Sequence, residues 1–300
     1  MLIMILVTGA NGQLGQCFQK VSAQFPNIPF IFKNATELDI TQYAALRKTI
    51  QTLRADTETL WIVNCAAYTA VDKAESEPQK ADQVNRIGVK NLARICAEHQ
   101  LPLIHFSTDY VYHTKQNTPF QETDTVSPKG IYAQTKMAGE RAALKANPDR
   151  TMILRTSWVY SEFGHNFVKT MLRLGAERDL VKVVADQIGS PTYAPDLANT
   201  VLHIYQLVQN REVALANLSG IWHYANEGVA SWYDLASAVF EYSKLPCKVE
   251  PIATREYPTP AQRPPFSVLD KSKIKAAFGL EIPHWRVSLK NCLHELGQYA

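Results

Sequence analysis

The chain has 300 residues, 46% hydrophobic and 20% charged, with 31 Lys+Arg against 28 Asp+Glu for a net charge of +3. That length holds one large α/β domain or two closely coupled ones, and the balance excludes a disordered, collagen-like or disulfide-scaffold chain. No basic block is long enough to track a phosphate backbone, so nucleic acid is not an expected partner.

The first apolar run, Met1–Val7, is too short to span a bilayer, so no membrane partner is expected. It lacks a preceding positive charge and runs straight into a glycine-rich loop, so it reads poorly as a secretion signal. Short apolar runs follow at Pro29–Phe32, Leu60–Asn64, Leu103–Phe106 and Met152–Leu154. Between them Leu14–Ala23, Tyr43–Thr52, Ala81–Glu98 and Thr135–Lys145 carry apolar residues at helical spacing. Strands alternating with helices predict a doubly wound, Rossmann-type parallel sheet. Beyond it Asn166–Gly175, Asp196–Val208 and Ser231–Ser243 read as helices, the last opened by Ser231 and Asp234 in a capping-box arrangement. Pro251–Pro265 holds five of the sixteen prolines and reads as an irregular binding loop. Residues 1–157 are therefore expected to form a dinucleotide-binding domain. Residues 158–300 are expected to be mainly a smaller, partly helical substrate-binding domain, with some segments returning to the sheet. The five cysteines, Cys17, Cys65, Cys96, Cys247 and Cys292, are odd in number and lack C-x-x-C spacing. They read as free thiols in a reducing cytoplasm.

Thr8-Gly-Ala-Asn-Gly-Gln-Leu-Gly15 joins the first strand to the first helix with glycines spaced G-x-x-G-x-x-G. Glycines there let the backbone approach a pyrophosphate seated on the free N–H groups of the helix. Gly9, Asn11, Gly12, Gln13 and Leu14 are thus candidate cofactor contacts. At the end of the second strand Lys33 replaces the acid that would bond a ribose 2′-hydroxyl, which favours NADPH over NADH. A solvated lysine is the plain alternative. Asp39 and Ile40 lie just beyond, and Ala66, Ala67 and Tyr68 after the third full strand are small or flat enough to lie along a cofactor.

Tyr132 and Lys136 stand one helical turn apart on one face. A lysine beside a phenol favours the phenolate and can hold a nicotinamide ribose. Ser107-Thr108-Asp109 follows the fourth strand at the edge where such sheets bind ligands. Trp158, after the fifth strand, is a flat surface for a sugar or base, and a core tryptophan otherwise.

The glycine spacing with Thr108, Tyr132 and Lys136 resembles the extended branch of the short-chain dehydrogenase/reductases. The runs Ala67–Pro78, Ser107–Tyr112, Leu154–Tyr160 and Tyr257–Pro264 resemble the dTDP-4-dehydrorhamnose reductase family over essentially the whole chain. The resemblance implies reduction of a 4-keto nucleotide sugar by NAD(P)H, with NADH accepted beside NADPH, as the last step of dTDP-rhamnose synthesis. It implies Thr108, Tyr132 and Lys136 as the catalytic set, and Val71, Asp72, Thr108, Asp109, Trp158, Asn166 and Arg263 as substrate contacts. Some members of that family dimerise through a divalent metal held by acids. Here one such position is Cys17, a poor ligand for a hard cation, and Glu295 alone remains, so no metal and a monomer or metal-independent homodimer are expected. Two alternatives stand beside this reading. A sugar-nucleotide epimerase or dehydratase shares the triad, but the second acid a dehydratase needs is Tyr110 here. A non-catalytic regulator, like the beta subunit of methionine adenosyltransferase, shares much of the fold.

Overall fold

The computed structural model describes residues 3–55 and 59–299. The first two residues of the Met1–Val7 run lie outside the described residues. In chain order the elements are β1 (Ile3–Thr8), α1 (Gln13–Ser22), β2 (Phe30–Lys33), α2 (Tyr43–Ala55), β3 (Thr59–Asn64) and α3 (Val71–Ala74). Next come α4 (Pro78–Asp82), a π-helical turn (Gln83–Gly88), α5 (Val89–Glu98), β4 (Leu103–Thr108), α6 (Gly130–Ala146) and β5 (Thr151–Thr156). The remainder is β6 (Val159–Tyr160), α7 (Phe167–Glu177), β7 (Leu180–Val184), β8 (Ile188–Gly189), β9 (Thr192–Tyr193), α8 (Ala194–Gln209), β10 (Gly220–His223) and β11 (Ala230–Ser231). It closes with α9 (Trp232–Tyr242), β12 (Lys248–Ile252), α10 (Ser272–Phe278) and α11 (Trp285–Glu295).

Six strands form one sheet in the order β2-β1-β3-β4-β5-β10, and every pairing is parallel. β1 to β2 winds one way and β1 to β3 the other, so the winding reverses between β1 and β3. That reversal opens a crevice at the carboxyl ends of the strands. Apolar helices cover both faces, as a parallel sheet requires. Phe18 and Val21 of α1 share one core with Leu197, Val201 and Tyr205 of α8. On the other face Leu46 and Ile50 of α2 meet Leu92 and Ile95 of α5 and Ala143 of α6. β10 is the last strand of the sheet, so residues 220–223 complete it from late in the chain. A separate core joins Val168 and Met171 of α7, Leu235 and Val239 of α9, and Trp285 and Leu289 of α11.

Two elements depart from their sequence patterns. Apolar spacing predicts one helix over Ala81–Glu98, whereas the backbone widens into the π turn at Gln83–Gly88. Asn85 sits in that turn. A Cβ on Gly139 of α6 would collide with the Asn85 carbonyl, so α6 presses its glycine directly on the turn. Pro251 lies inside β12 rather than in irregular chain. Among the described residues β12 pairs only with β7, so the strand is an edge and the missing proline N–H costs no ladder bond. The capping box on α9 forms as its sequence suggests, with the Ser231 hydroxyl accepting from Asp234 N at 3.0 Å.

The sheet also carries a buried ion pair. Arg155 of β5 grips Glu140 of α6 with Nη2–Oε2 at 2.6 Å and Nε–Oε1 at 3.0 Å, both side chains at most 3% exposed. Arg155 Nη1 donates to the Tyr112 hydroxyl at 2.6 Å, which also pairs with His223 Nε2 at 2.8 Å. Removing one partner strands a buried charge. Glu140→Gln is expected to lower unfolding free energy by about 3–5 kcal/mol, read from urea midpoints, and Glu140→Gln with Arg155→Met to recover much of that loss.

Candidate active site

The crevice between β1 and β3 is closed by backbone contact. Gly9 takes φ +68°, and a Cβ there would stand 2.5 Å from Ala66 N. At Gly15 a Cβ would meet the first turn's own loop, 2.7 Å from Ala10 Cα. Helix α1 starts at an extended Gly12 with no side-chain cap. The first-turn N–H groups of Gln13, Leu14 and Gly15 therefore point outward without intrahelical partners. Asn11 and Gly12 are exposed. Bare backbone, a positive helix end and no competing side chain fit an anionic pyrophosphate.

The other candidate cofactor residues border this loop. Ala10 N donates to the Lys33 carbonyl at 3.1 Å, which sets Lys33 beside the loop. Its ammonium stands 3.5 Å from Glu37 Oε1, so its charge is partly matched already. Asp39 accepts from Thr41 N at 2.8 Å, and Ile40 is buried under Gly88. Tyr68 N donates to Asn85 Oδ1 at 2.9 Å, and Asn85 Nδ2 donates to Thr135 Oγ1 of α6 at 3.2 Å. The π turn thus ties the Ala66–Ala67–Tyr68 loop to the helix bearing Tyr132. Gln13 Nε2 donates to the Val159 carbonyl at 3.1 Å while its Oε1 accepts from Asn166.

At the end of β4 the chain places Thr108, Asp109 and Tyr132 together. The Tyr132 phenol stands close enough to Thr108 to be drawn down by it, yet is held up to about 12, chiefly by burial. Thr108 Oγ1 lies 3.1 Å from Asp109 Oδ1. Burial raises the Asp109 carboxyl to about 7, opposed by the nearby Ser267 hydroxyl and the bond from Thr108. Asp109 Oδ2 and Ser107 Oγ, at the end of β4, are buried without a hydrogen-bond partner. Tyr110, in the position of a second acid, packs its ring edge-on against Tyr132 at 5.8 Å. Lys136 does not touch the phenol. Its Nζ points into the sheet, donating to the Phe106 carbonyl at 2.6 Å, and burial holds its ammonium down, to about 8.

The candidate substrate residues fall into two groups. Val71 and Asp72 open α3, and Asp72 is bound to Arg263 of the proline-rich segment by Nη2–Oδ2 at 2.7 Å and Nη1–Oδ1 at 3.1 Å. Arg263 holds the Asp72 carboxyl below the usual range. Arg263 thus latches that segment onto α3, close enough to Tyr110 to act on it. On the other side Trp158 adopts φ +49° and stacks on Trp232 at 3.6 Å, against Gly189, where a Cβ would collide with the indole. Asn166 caps α7, accepting from Lys169 N at 3.1 Å, while its amide donates to Ser161, Phe163 and Gln13. These bonds use its amide N–H groups in structural roles and leave Oδ1 one further lone pair.

Sequence reading missed Asn85, Ser267 and Trp232, which come from distant segments and meet only in the fold. It also missed Asn64 and His105, although polar residues in otherwise apolar strands are a usable signal. Cys17 is buried, its thiol raised to about 12 by desolvation, and Glu295 pairs with Lys20 at 2.6 Å, as does Glu162 at 2.7 Å. Among the described residues no cluster of His, Cys, Asp and Glu could hold a metal, and no helix is long and apolar enough to cross a membrane.

Residues 3–298 match the family model described as the RmlD substrate binding domain. A dTDP-4-dehydrorhamnose reductase of Aggregatibacter actinomycetemcomitans is 40% identical over 96% of this chain and 97% of its own. One from Sinorhizobium fredii is 42% identical over 97% of each. The crystal structure of the Bacillus anthracis dTDP-4-dehydrorhamnose reductase, in complex with NADP, superposes with a TM-score of 0.89. It is 35% identical and covers 98% of this chain and 100% of that one.

The buried lysine sets a stability test. Its amine is favoured in the fold, with a pKa of about 8 against 10.5 for an ordinary lysine. Between those values the unfolded chain binds more protons, so stability gains as pH rises. Relative to Lys136→Met, the wild type is expected to gain about 3 kcal/mol of unfolding free energy across that window in urea titrations. A flat difference would show that Lys136 is not desolvated.

Proposed function

Since the chain belongs to the dTDP-4-dehydrorhamnose reductase family, we propose that it reduces the 4-keto group of dTDP-4-dehydro-L-rhamnose to give dTDP-L-rhamnose. NADPH is the reductant, NADH is also accepted, and the step is the last in dTDP-rhamnose synthesis. The observation that carries this reading is the Tyr132 phenol set beside Thr108 at the carboxyl end of β4, its ring packed on Tyr110.

When bound, the nicotinamide supplies the hydride that the sugar C4 accepts. Tyr132 holds the proton this reaction needs, because burial keeps its phenol protonated far above neutral pH. It donates that proton to the developing alkoxide. Thr108 fixes the phenol's direction and shares the substrate oxygen, so little reorganisation accompanies the transfer. Asp109 offers Oδ2 to a sugar hydroxyl. The loop formed by Gly9, Asn11, Gly12, Gln13 and Leu14 holds the pyrophosphate, and Lys33, Asp39, Ile40, Ala66, Ala67 and Tyr68 flank the adenosine and nicotinamide sides. Trp158 offers a surface to the nucleotide sugar, with Val71 and Asn166 nearby in the proposed set. Arg263 is the proposed diphosphate contact, and a diphosphate there competes with the Asp72 carboxylate that the guanidinium already holds. The enzyme is read as cytoplasmic, acting as a monomer or a homodimer that needs no metal.

Tyr132→Phe keeps the ring and removes the proton. Turnover is expected to fall at least about a hundredfold while NADPH binding changes little. The assay supplies dTDP-glucose with the two upstream enzymes and follows NADPH absorbance. Near-full turnover in the variant would remove Tyr132 from the acid's role, and no NADPH consumption by the wild type would favour a regulatory protein. Lys33→Ala is expected to erase a modest, roughly five- to thirtyfold preference for NADPH over NADH in kcat/KM, leaving NADH use intact. An unchanged ratio would place Lys33 with Glu37 alone.

A further inference from the structure

A line of buried polar side chains runs across the strand ends behind Tyr132. Thr8 Oγ1 of β1 donates to Asn64 Oδ1 of β3 at 2.7 Å, and Ala66 N donates to the same oxygen at 3.1 Å. A backbone N–H can only donate, so the amide oxygen must face Ala66. Asn64 Nδ2 therefore faces His105 of β4, 2.9 Å from its Nδ1. His105 must accept there, which puts its proton on Nε2. That N–H points at Lys136 Nζ, 3.5 Å away. Lys136 in turn donates to Phe106 O. An amine satisfies this seat, donating to Phe106 and accepting from His105. An ammonium has no lone pair and would meet a second donor head-on.

We propose that His105 is a positioning residue for Lys136: its tautomer, fixed through Asn64, makes the inward seat accept the amine and refuse the ammonium. Lys136 then takes a proton from solvent as it leaves for the ribose of a bound cofactor. The inference rests on the reductase reading above. Because Thr8 and Ala66 border the glycine loop, the same line couples that loop to the lysine.

The other groups around Lys136 do not supply this effect. On its own helix Glu140 favours the ammonium, but its carboxylate is taken by Arg155 of β5. Tyr132 lies beside Thr108, whose hydroxyl donates to Asp109. From α3 the chain brings Glu75, which caps α6 by accepting from Ile131 N at 2.8 Å. From α4 and the π turn come Asp82 and Arg86, paired with each other, and neutral Asn85. Burial and the nearby lysine hold His105 itself well below the usual imidazole range, so it stays neutral.

The test is calorimetric binding of NADPH, and of NADH as a control without the 2′-phosphate, in buffers of different ionisation enthalpy. About one proton is expected to be taken up at about pH 9, little at about pH 7, and affinity is expected to weaken about tenfold per pH unit above the midpoint. His105→Gln turns an acceptor toward the lysine, and Asn64→Asp forces the opposite tautomer. Each is expected to move the midpoint up by a pH unit or more, with folding checked by circular dichroism. Binding without proton uptake at about pH 9, or an unmoved midpoint in a folded variant, would overturn the proposal. A wild type that binds neither nucleotide would instead sink the reductase reading.

Discussion

Everything at the crevice depends on how closely β1 and β3 approach at their carboxyl ends. The winding of the sheet reverses between these strands, so their loops diverge to opposite faces and leave the backbone of each exposed. Gly9 meets Ala66 at a distance no side chain permits. The Thr8–Asn64 bond closes the floor beneath them. From that floor the helix α1 presents its positive end, β4 presents Thr108, and α6 brings Tyr132 alongside.

Burial then decides the chemistry of each group. Tyr132 and Lys136 sit one turn apart on α6, yet desolvation acts on them in opposite senses. It raises the phenol, which must lose a proton to become charged, and lowers the ammonium, which must lose one to become neutral. The simple picture of a lysine cation drawing down a tyrosine pKa does not hold in this arrangement, because Nζ faces Phe106 and His105 instead. Asp109, held between carboxylate and acid near neutrality, is the third group in the same small volume.

Much of this was legible in the sequence, for local reasons. The strand–loop–helix glycine spacing and the Tyr132–Lys136 turn are short-range patterns, and the alternation of apolar runs gave the parallel sheet. What the sequence hid came from distance. The Arg263–Asp72 latch joins residues 191 apart, and only the fold brings them together. Asn166, read as a substrate contact, is occupied in capping α7, a duty its position before Phe167 also fits. The π turn at Asn85 breaks a helix whose apolar spacing looks continuous, since widening by one residue leaves the buried face intact. His105 looks like one polar residue in a buried strand until Asn64 and Lys136 arrive from either side.

In the proposed reaction a hydride passes directly from the nicotinamide C4 to the sugar C4. NADPH deuterated at the transferring position of nicotinamide C4, supplied with the 4-keto sugar nucleotide, gives the most direct measurement. The predicted product is dTDP-L-rhamnose carrying one deuterium at sugar C4, located by NMR, with one NADPH consumed per product. An unlabelled product, or one formed with no net consumption of NADPH, would contradict the account and indicate epimerase-like recycling of a bound nucleotide.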